Sequence, residues 1–86
     1  MLVRMEAKFE TYILYSSSLR KYYVGQTDNF GKRFIEHNSG QSKYTKTGVP
    51  WNLVWKKEFP TRSEAVRLET HIKNRGAQRY LDSIVL

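Results

Sequence analysis

The sequence predicts an α+β domain in which a β-hairpin and a third strand are covered by helices. Residues 9–16 and 21–25 are rich in β-branched and aromatic residues, and the serine-rich segment 16–20 between them is typical of a turn. Residues 51–59 alternate between apolar and polar side chains, which indicates a third strand. Helical patterns follow the second and third strands. Because the chain has 86 residues, we expect a single domain over residues 1–86.

Two details of the strands are predicted from their residues. Gly25 is expected to end the second strand, because glycine lets the backbone bend sharply. The apolar residues of the third strand are expected on one face, interrupted by Lys57. They are Trp51, Leu53, Trp55 and Phe59. The two tryptophans are expected in the core, although an exposed tryptophan could stack on a nucleic-acid base.

The first helix is predicted over residues 29–38. Asp28 is expected to cap its N-terminus through a side-chain oxygen. Phe30 and Phe34 are four residues apart and share one face of this helix. Gly40 fits the left-handed conformation that commonly follows a helix. The polar segment after this glycine is predicted to be a loop.

The second helix begins after a capping box made by Thr61 and Glu64. It is predicted to run to about Asn74, and Gly76 is expected to stop it. Residues 77–83 are predicted to form a last short helix. The apolar "SIVL" at the end of the sequence requires a core to cover it.

The chain is strongly basic. Fifteen Lys and Arg residues face eight Asp and Glu residues, which gives a formal charge of +7. Such a surface attracts polyanions, and nucleic acid is the first candidate partner. An acidic protein is an alternative partner. The absence of cysteine excludes disulfides and thiolate metal sites.

Membrane insertion and secretion are not expected. No segment approaches the roughly 20 apolar residues of a transmembrane helix, and the apolar part of the N-terminal segment is too short for a signal peptide. We therefore expect a cytoplasmic protein without a membrane partner. Met5 is an alternative to Met1 as the true start.

Five polar residues could carry chemistry on a phosphodiester. Tyr12 and Tyr23 lie on strands that are expected to pair, and His37 lies one helical turn after Arg33 on the same side. Glu69 lies beside the apolar stripe of the second helix, where a carboxylate needs a partner or a cation. Phosphodiester cleavage needs an activated water, a positive group and usually a divalent cation. A single carboxylate suits Mg²⁺ or Mn²⁺.

Each of these residues also has a purely structural interpretation. The tyrosines are good strand residues, and Arg33 or His37 alone would be a surface group. Glu69 could pair with Lys73 four residues later. Nucleic-acid contacts are expected from exposed cations and from the polar loop, with Thr45, Arg62 and Arg67 as further possibilities. The main candidates are Lys32, Lys43, Tyr44 and Lys46.

The ordered set of motifs resembles the GIY-YIG endonuclease family. Its parts are "TYI" (11–13), "YVG" (23–25), Arg33, His37 and Glu69. The chain is similar to the small single-domain branch of that family, and to the nuclease domains of the excision-repair nuclease and of GIY-YIG homing endonucleases. The resemblance covers about residues 11–80. It implies a three-stranded antiparallel sheet flanked by helices, and a metal-dependent endonuclease that hydrolyses DNA and leaves a 5′-phosphate.

The resemblance also implies a role for each motif residue. Tyr23 would activate or position the attacking water, and Tyr12 would orient water or phosphate. Arg33 would stabilise the charge of the phosphate, and His37 would relay a proton. Glu69 would hold one divalent cation, Mg²⁺ or Mn²⁺.

The sequence departs from the family pattern at three places. Thr11 stands where the first motif would begin with glycine, and Gln26 stands where some relatives have lysine. Asn74 is a possible substitute for a late asparagine of the family. A catalytically weak or inactive nucleic-acid-binding module of the same fold therefore stays open. A chain of this length has little room for a separate domain that recognises DNA sequence. A protein partner that confers specificity is therefore also possible.

Overall fold

The computed structural model describes residues 8–84, which form a three-stranded antiparallel sheet with three helices. The predicted fold class is confirmed. In chain order the elements are β1 (Phe9–Ser16), β2 (Lys21–Thr27), α1 (Phe30–Asn38), a short 3-10 helix (Lys46–Gly48), β3 (Trp51–Phe59), α2 (Arg62–Arg75) and α3 (Ala77–Ile84).

The sheet places β1 in the centre, with β2 and β3 on its two sides. Both pairs are antiparallel, and the predicted hairpin of β1 and β2 is present. Arg20 adopts a left-handed conformation, φ 55°, in the turn that closes this hairpin. Within the described residues β2 pairs with β1 alone, so its other side is an edge of the sheet.

The two faces of the sheet carry separate cores. Tyr12 and Leu14 of β1 point to the face covered by α1, where they pack with Trp51. Ile13 lies between them in sequence and points to the opposite face. There it packs against α2 through Ile72. β1 is therefore buried on both faces, which explains its continuous apolar run.

The expectation that the apolar residues of β3 share one face is wrong. Ile13 pairs with Trp55, but the next residue of β1, Leu14, pairs with Leu53. Val54 is therefore an extra residue in β3, a β-bulge that switches the side-chain alternation. As a result Trp51 packs beside Leu14, whereas Trp55 packs on the α2 face.

Two predicted boundaries also differ from the structure. Gly25 does not end β2, which continues to Thr27. Asp28 does not cap α1, because the side chain of Asn29 accepts the hydrogen bond from the N–H of Lys32. Asn29 lies directly before the first helical residue, which is the position where a cap can reach the free N–H groups.

The remaining helix signals are confirmed. Thr61 caps α2 by accepting a hydrogen bond from the N–H of Glu64. Gly76, at φ 97°, ends this helix and α3 follows directly. Gly40, at φ 81°, follows α1 as expected.

The two ends of the chain are only partly within the described residues. Ile84 closes α3 with 40% of its surface exposed, and the last two residues of "SIVL" lie outside the described range. The two candidate start residues, Met1 and Met5, also lie outside it. Between residues 8 and 84, no helix is both long and apolar enough to cross a membrane.

Candidate active site

The centre of the site is the phenol of Tyr12, which lies directly across the β1–β2 pair from Gly25. A side-chain Cβ built at residue 25 would come within 2.6 Å of the Tyr12 hydroxyl oxygen. Glycine is therefore required inside β2 because the phenol passes over its backbone. This explains why the strand continues through Gly25, where the sequence predicted a bend.

A buried chain of hydrogen bonds starts at this phenol. The Tyr12 hydroxyl lies 2.9 Å from Nε2 of His37, and Nδ1 of His37 lies 2.8 Å from the Thr45 hydroxyl. Tyr12 is 1% exposed, and the other two residues are fully buried. Because hydroxyls both donate and accept, either neutral tautomer of the imidazole satisfies this chain. The imidazole proton can therefore lie on the Tyr12 side or on the Thr45 side of the ring.

Burial sets the protonation states of Tyr12 and His37 in this chain of hydrogen bonds. It raises the pKa of Tyr12 to about 12, helped by the nearby Tyr23 phenol and opposed by Arg33. Burial also lowers the pKa of His37, and the positive charge of Arg33 lowers it further. Near neutral pH the phenol of Tyr12 is therefore protonated and the imidazole of His37 is neutral.

Tyr23 lies beside the hydrogen-bonded residues Tyr12 and His37, on the same face of the sheet. Its ring centre is 4.8 Å from that of His37 and 6.3 Å from that of Tyr12. Unlike Tyr12 it is only partly buried, and it lines an open cleft at the edge of the sheet. Of the two motif tyrosines, Tyr23 is thus the one that a substrate can reach.

Arg33 approaches the two tyrosines from α1. Burial alone would lower its pKa, but its hydrogen bond to Glu36 and the nearby phenols of Tyr12 and Tyr23 raise it. The hydrogen bond joins Nη1 to the Glu36 carboxylate at 3.2 Å. The side chain is 41% exposed. A permanent positive charge therefore lies where a phosphate can reach it.

Glu69 reaches the same region from α2, on the opposite side of the sheet. Its ion-pair partner Lys73 lines the same cleft as Tyr23, so the carboxylate lies near this edge of the sheet. Its carboxylate accepts a hydrogen bond from Lys73 Nζ at 2.8 Å. The predicted intrahelical pair is thus present, and Glu69 is only 19% exposed in its side chain.

The donor set fits one hydrated divalent cation. Residues 8–84 contain no group of three His, Cys, Asp or Glu side chains close enough to hold a metal. Mg²⁺ commonly binds through one or two carboxylates and keeps several waters, with substrate phosphate completing the site. The single carboxylate of Glu69 is compatible with that pattern, provided that Lys73 releases it.

Thr45 is the residue whose place the sequence did not predict. It was expected in an exposed loop that contacts nucleic acid, but it is fully buried against His37. Its carbonyl also accepts a hydrogen bond from the indole N–H of Trp51 at 2.7 Å. A threonine between charged and aromatic loop residues gives no signal of burial. Only the return of the loop to α1 places it there.

The residues predicted to contact nucleic acid lie in two different places in the structure. Lys32 lines a cleft next to Arg33. Lys43, Lys46 and Tyr44 are exposed on the loop after α1, and Tyr44 is 87% exposed. The loop residues therefore form a group distinct from Lys32.

The structure shows the surroundings of Gln26 and Asn74, two of the residues at which the sequence departs from the family pattern. The carbonyl oxygen of the Gln26 side chain accepts a hydrogen bond from Arg62 Nη1 at 3.0 Å. Arg62, at the start of α2, thus brings a cation to the place where some relatives have lysine. Asn74 is exposed on α2.

Comparison with known proteins identifies the family. The model of the GIY-YIG catalytic domain matches residues 8–81. A UPF0213 protein of Staphylococcus saprophyticus is 43% identical over 63 residues, which cover 72% of this chain and 77% of that protein. The UPF0213 protein YsiG of Lactococcus lactis is 33% identical over 79 residues, covering 91% of this chain and 75% of the relative.

A solved structure supports the same conclusion. The solution NMR structure of a UPF0213 protein from Bacillus halodurans superposes with a TM-score of 0.56 at 29% identity, over 90% of this chain and 82% of that one. The match to the catalytic domain supports a nuclease-type function. The chain belongs to the GIY-YIG family, and its relatives are small single-domain UPF0213 proteins.

Proposed function

We propose that this protein is a metal-dependent endonuclease that hydrolyses DNA phosphodiester bonds. The proposal rests on the placement of Arg33 and Glu69 beside the two motif tyrosines. The ring centres of Tyr12 and Tyr23 lie 6.3 Å apart, and Lys73, the ion-pair partner of Glu69, lines the same cleft as Tyr23. These groups come from two strands and from helices on opposite faces of the sheet. Such an arrangement supplies a phenol, a cation and a carboxylate to one phosphate.

Arg33 and Tyr23 contact the substrate in this proposal. Arg33 binds a non-bridging phosphate oxygen and stabilises the charge that develops during attack. Tyr23, which lines the open cleft, positions the attacking water. Glu69 would hold one Mg²⁺ or Mn²⁺, which supplies further positive charge to the phosphate when bound.

Tyr12, His37 and Thr45 act behind this contact surface. Tyr12 is 1% exposed, so we assign it a positioning role beside Tyr23. His37 is neutral because burial lowers its pKa, and its two nitrogens connect Tyr12 to Thr45. The imidazole can therefore accept a proton at one nitrogen while the other releases one.

A second candidate function is a nucleic-acid-binding module of the same fold with weak or no catalysis. The ion pair between Glu69 and Lys73 favours this alternative, because the ammonium already neutralises the proposed metal ligand. The hydrogen bond of Gln26 to Arg62 is compatible with either function, since a bound phosphate could replace it.

Cleavage assays distinguish the two functions. Single- and double-stranded DNA are incubated with Mg²⁺ or Mn²⁺, in parallel with EDTA, using the wild type, Glu69→Ala and the control Glu58→Ala. Glu58 is an exposed carboxylate of β3, away from the site. We expect cleavage that EDTA and Glu69→Ala abolish and that Glu58→Ala retains. Gel retardation of DNA without cleavage in either metal would support the binding module.

A further inference from the structure

Two clefts lie along the outer edge of β2, one on each side of the proposed reaction centre. The first cleft, which we call the nucleoside cleft, has a volume of about 340 Å³. It is lined by Tyr22, Tyr23, Val24, Lys73 and Ala77. Adjacent residues of a strand point to opposite faces. A cleft that contacts both Tyr22 and Tyr23 must therefore open at the edge of the strand.

The second cleft, which we call the phosphate cleft, has a volume of about 300 Å³. It is lined by Gln26, Thr27, Asp28, Asn29, Lys32, Arg33, Glu36 and Arg62. Arg33 belongs to α1 and Arg62 to α2, which cover opposite faces of the sheet. This cleft too must therefore open at the edge, about 10 Å along β2 from Val24 to Thr27.

The two clefts differ in chemistry. The phosphate cleft is polar and contains three cations, Lys32, Arg33 and Arg62, against two carboxylates. The nucleoside cleft is mainly apolar and is lined by two tyrosines, Val24 and Ala77, with Lys73 as its one cation. A strand of nucleic acid has the complementary alternation, with charged phosphates and planar apolar bases.

We propose that the substrate strand runs along the outer edge of β2 and is unpaired where it is cut, with a base in the nucleoside cleft and a neighbouring phosphate in the phosphate cleft. This inference rests on the proposed function. It adds that the substrate strand is unpaired and that it follows the outer edge of β2. A base that remained in a duplex would be stacked between its neighbours and could not enter a cleft lined by Tyr22 and Ala77. The proposal therefore requires a single strand, a loop or a frayed end.

Arg62 has a defined part in this proposal. Its guanidinium currently contacts Gln26 at 3.0 Å and Asp28 at 3.5 Å, and it lies 4.7 Å from the centre of the Phe9 ring. The ring and the two polar groups hold it at the mouth of the phosphate cleft. Because its side chain is half exposed, a phosphate oxygen can reach it without displacement of the core.

Binding measured without metal tests the proposal independently of cleavage. Fluorescence anisotropy in EDTA compares a labelled single-stranded oligonucleotide with a blunt duplex of the same sequence. We expect the single strand to bind at least about fivefold more tightly, because base contacts with aromatic rings contribute about 5- to 150-fold per base. Equal affinity for the duplex would overturn the proposal, whether or not the protein cleaves DNA.

Variants test each cleft. Arg62→Ala should make the salt dependence of single-strand binding shallower by about 0.7 in the slope of log K against log salt, the value for one lost phosphate contact. The control Lys57→Ala removes a cation from β3, on the other edge of the sheet, and should weaken binding less. An identical effect of the two variants would overturn the assignment of the phosphate cleft.

For the nucleoside cleft, Ala77→Leu fills the space with a larger apolar side chain. It should weaken binding of the normal oligonucleotide about fivefold or more, with little effect on an oligonucleotide whose nucleotides lack bases. Lys73→Met keeps the packing of α2 and provides a second test, since it should weaken both ligands. Equal weakening of both ligands by Ala77→Leu would overturn the assignment of a base to this cleft. Circular dichroism verifies that the variants fold.

Discussion

The hydroxyl of Tyr12 and the α-carbon of Gly25 face each other across the β1–β2 pair so closely that no side chain fits at residue 25. Gly25→Ala is therefore expected to move the Tyr12 ring and to lower the free energy of unfolding by about 1–3 kcal/mol, the usual cost of overpacking. Urea denaturation measures this change. Gly31→Ala is the control, because a Cβ at residue 31 would make only an ordinary contact, 3.9 Å from the side-chain oxygen of Asn29. It should leave stability unchanged or raise it by up to about 1 kcal/mol. Equal effects of both substitutions would contradict this account of Gly25.

Tyr23→Phe removes only the hydroxyl that we assign to the attacking water. We expect the cleavage rate to fall by about 10²-fold, the usual cost of misplacing a reacting group, while binding of DNA in EDTA is retained. Tyr15→Phe is the matched control, since Tyr15 lies on β1 and packs against Tyr22 on the face opposite Tyr23. Full activity of Tyr23→Phe in single-turnover assays would remove this hydroxyl from the chemistry.

Thr45→Val keeps the shape of the side chain but removes the hydroxyl that bonds His37 Nδ1. A buried polar group without a partner costs about 1–3 kcal/mol, and we expect a loss of stability of that size. We also expect a shifted pH–rate profile of cleavage, because Nδ1 of His37 loses its hydrogen bond to the Thr45 hydroxyl. Thr45→Ser should restore both properties. The exposed Thr47→Val should change stability by less than about 0.5 kcal/mol. An unchanged profile in Thr45→Val would leave Thr45 with a structural role alone.

The stability of the protein should fall in mild acid because of His37. Burial lowers the pKa of this imidazole in the folded protein. The unfolded chain, with an ordinary pKa of about 6.5, then binds the proton more tightly. The stabilising contribution is therefore complete above pH 6.5 and is lost as the pH falls from about 6.5 to the folded pKa. His37→Gln should flatten this part of the stability curve in thermal denaturation. His71→Gln, which removes the exposed histidine, should retain the wild-type slope.

Lys73 and a divalent cation should compete for Glu69. The ammonium of Lys73 is 2.8 Å from the carboxylate and more than half exposed, so the pair is weak, about 0.2–1 kcal/mol. Lys73→Met is therefore expected to strengthen Mn²⁺ binding by up to about fivefold, measured by electron paramagnetic resonance without DNA. Lys57→Met is the control for a general loss of charge. A decrease of Mn²⁺ affinity in Lys73→Met would contradict the competition.

The local elements of this protein follow from local sequence signals. The β-branched and aromatic run of β1, the capping box of Thr61 and Glu64, and the stop at Gly76 act within a few residues of chain. These signals predicted the number and order of the strands and α-helices, but not the short 3-10 helix at Lys46–Gly48. The resemblance of the ordered motif residues then predicted the family, which the domain match confirms.

The tertiary structure decided what depends on pairing between distant segments. The bulge at Val54 places Trp51 and Trp55 on opposite faces of the sheet. It is defined by the register in which β3 pairs with β1. Gly25 belongs inside its strand because a phenol from β1 passes over it. Thr45 is buried because its loop returns to His37. Each of these features depends on a contact between segments that are not adjacent in the sequence, and the packing around such a contact cannot be read from neighbouring residues.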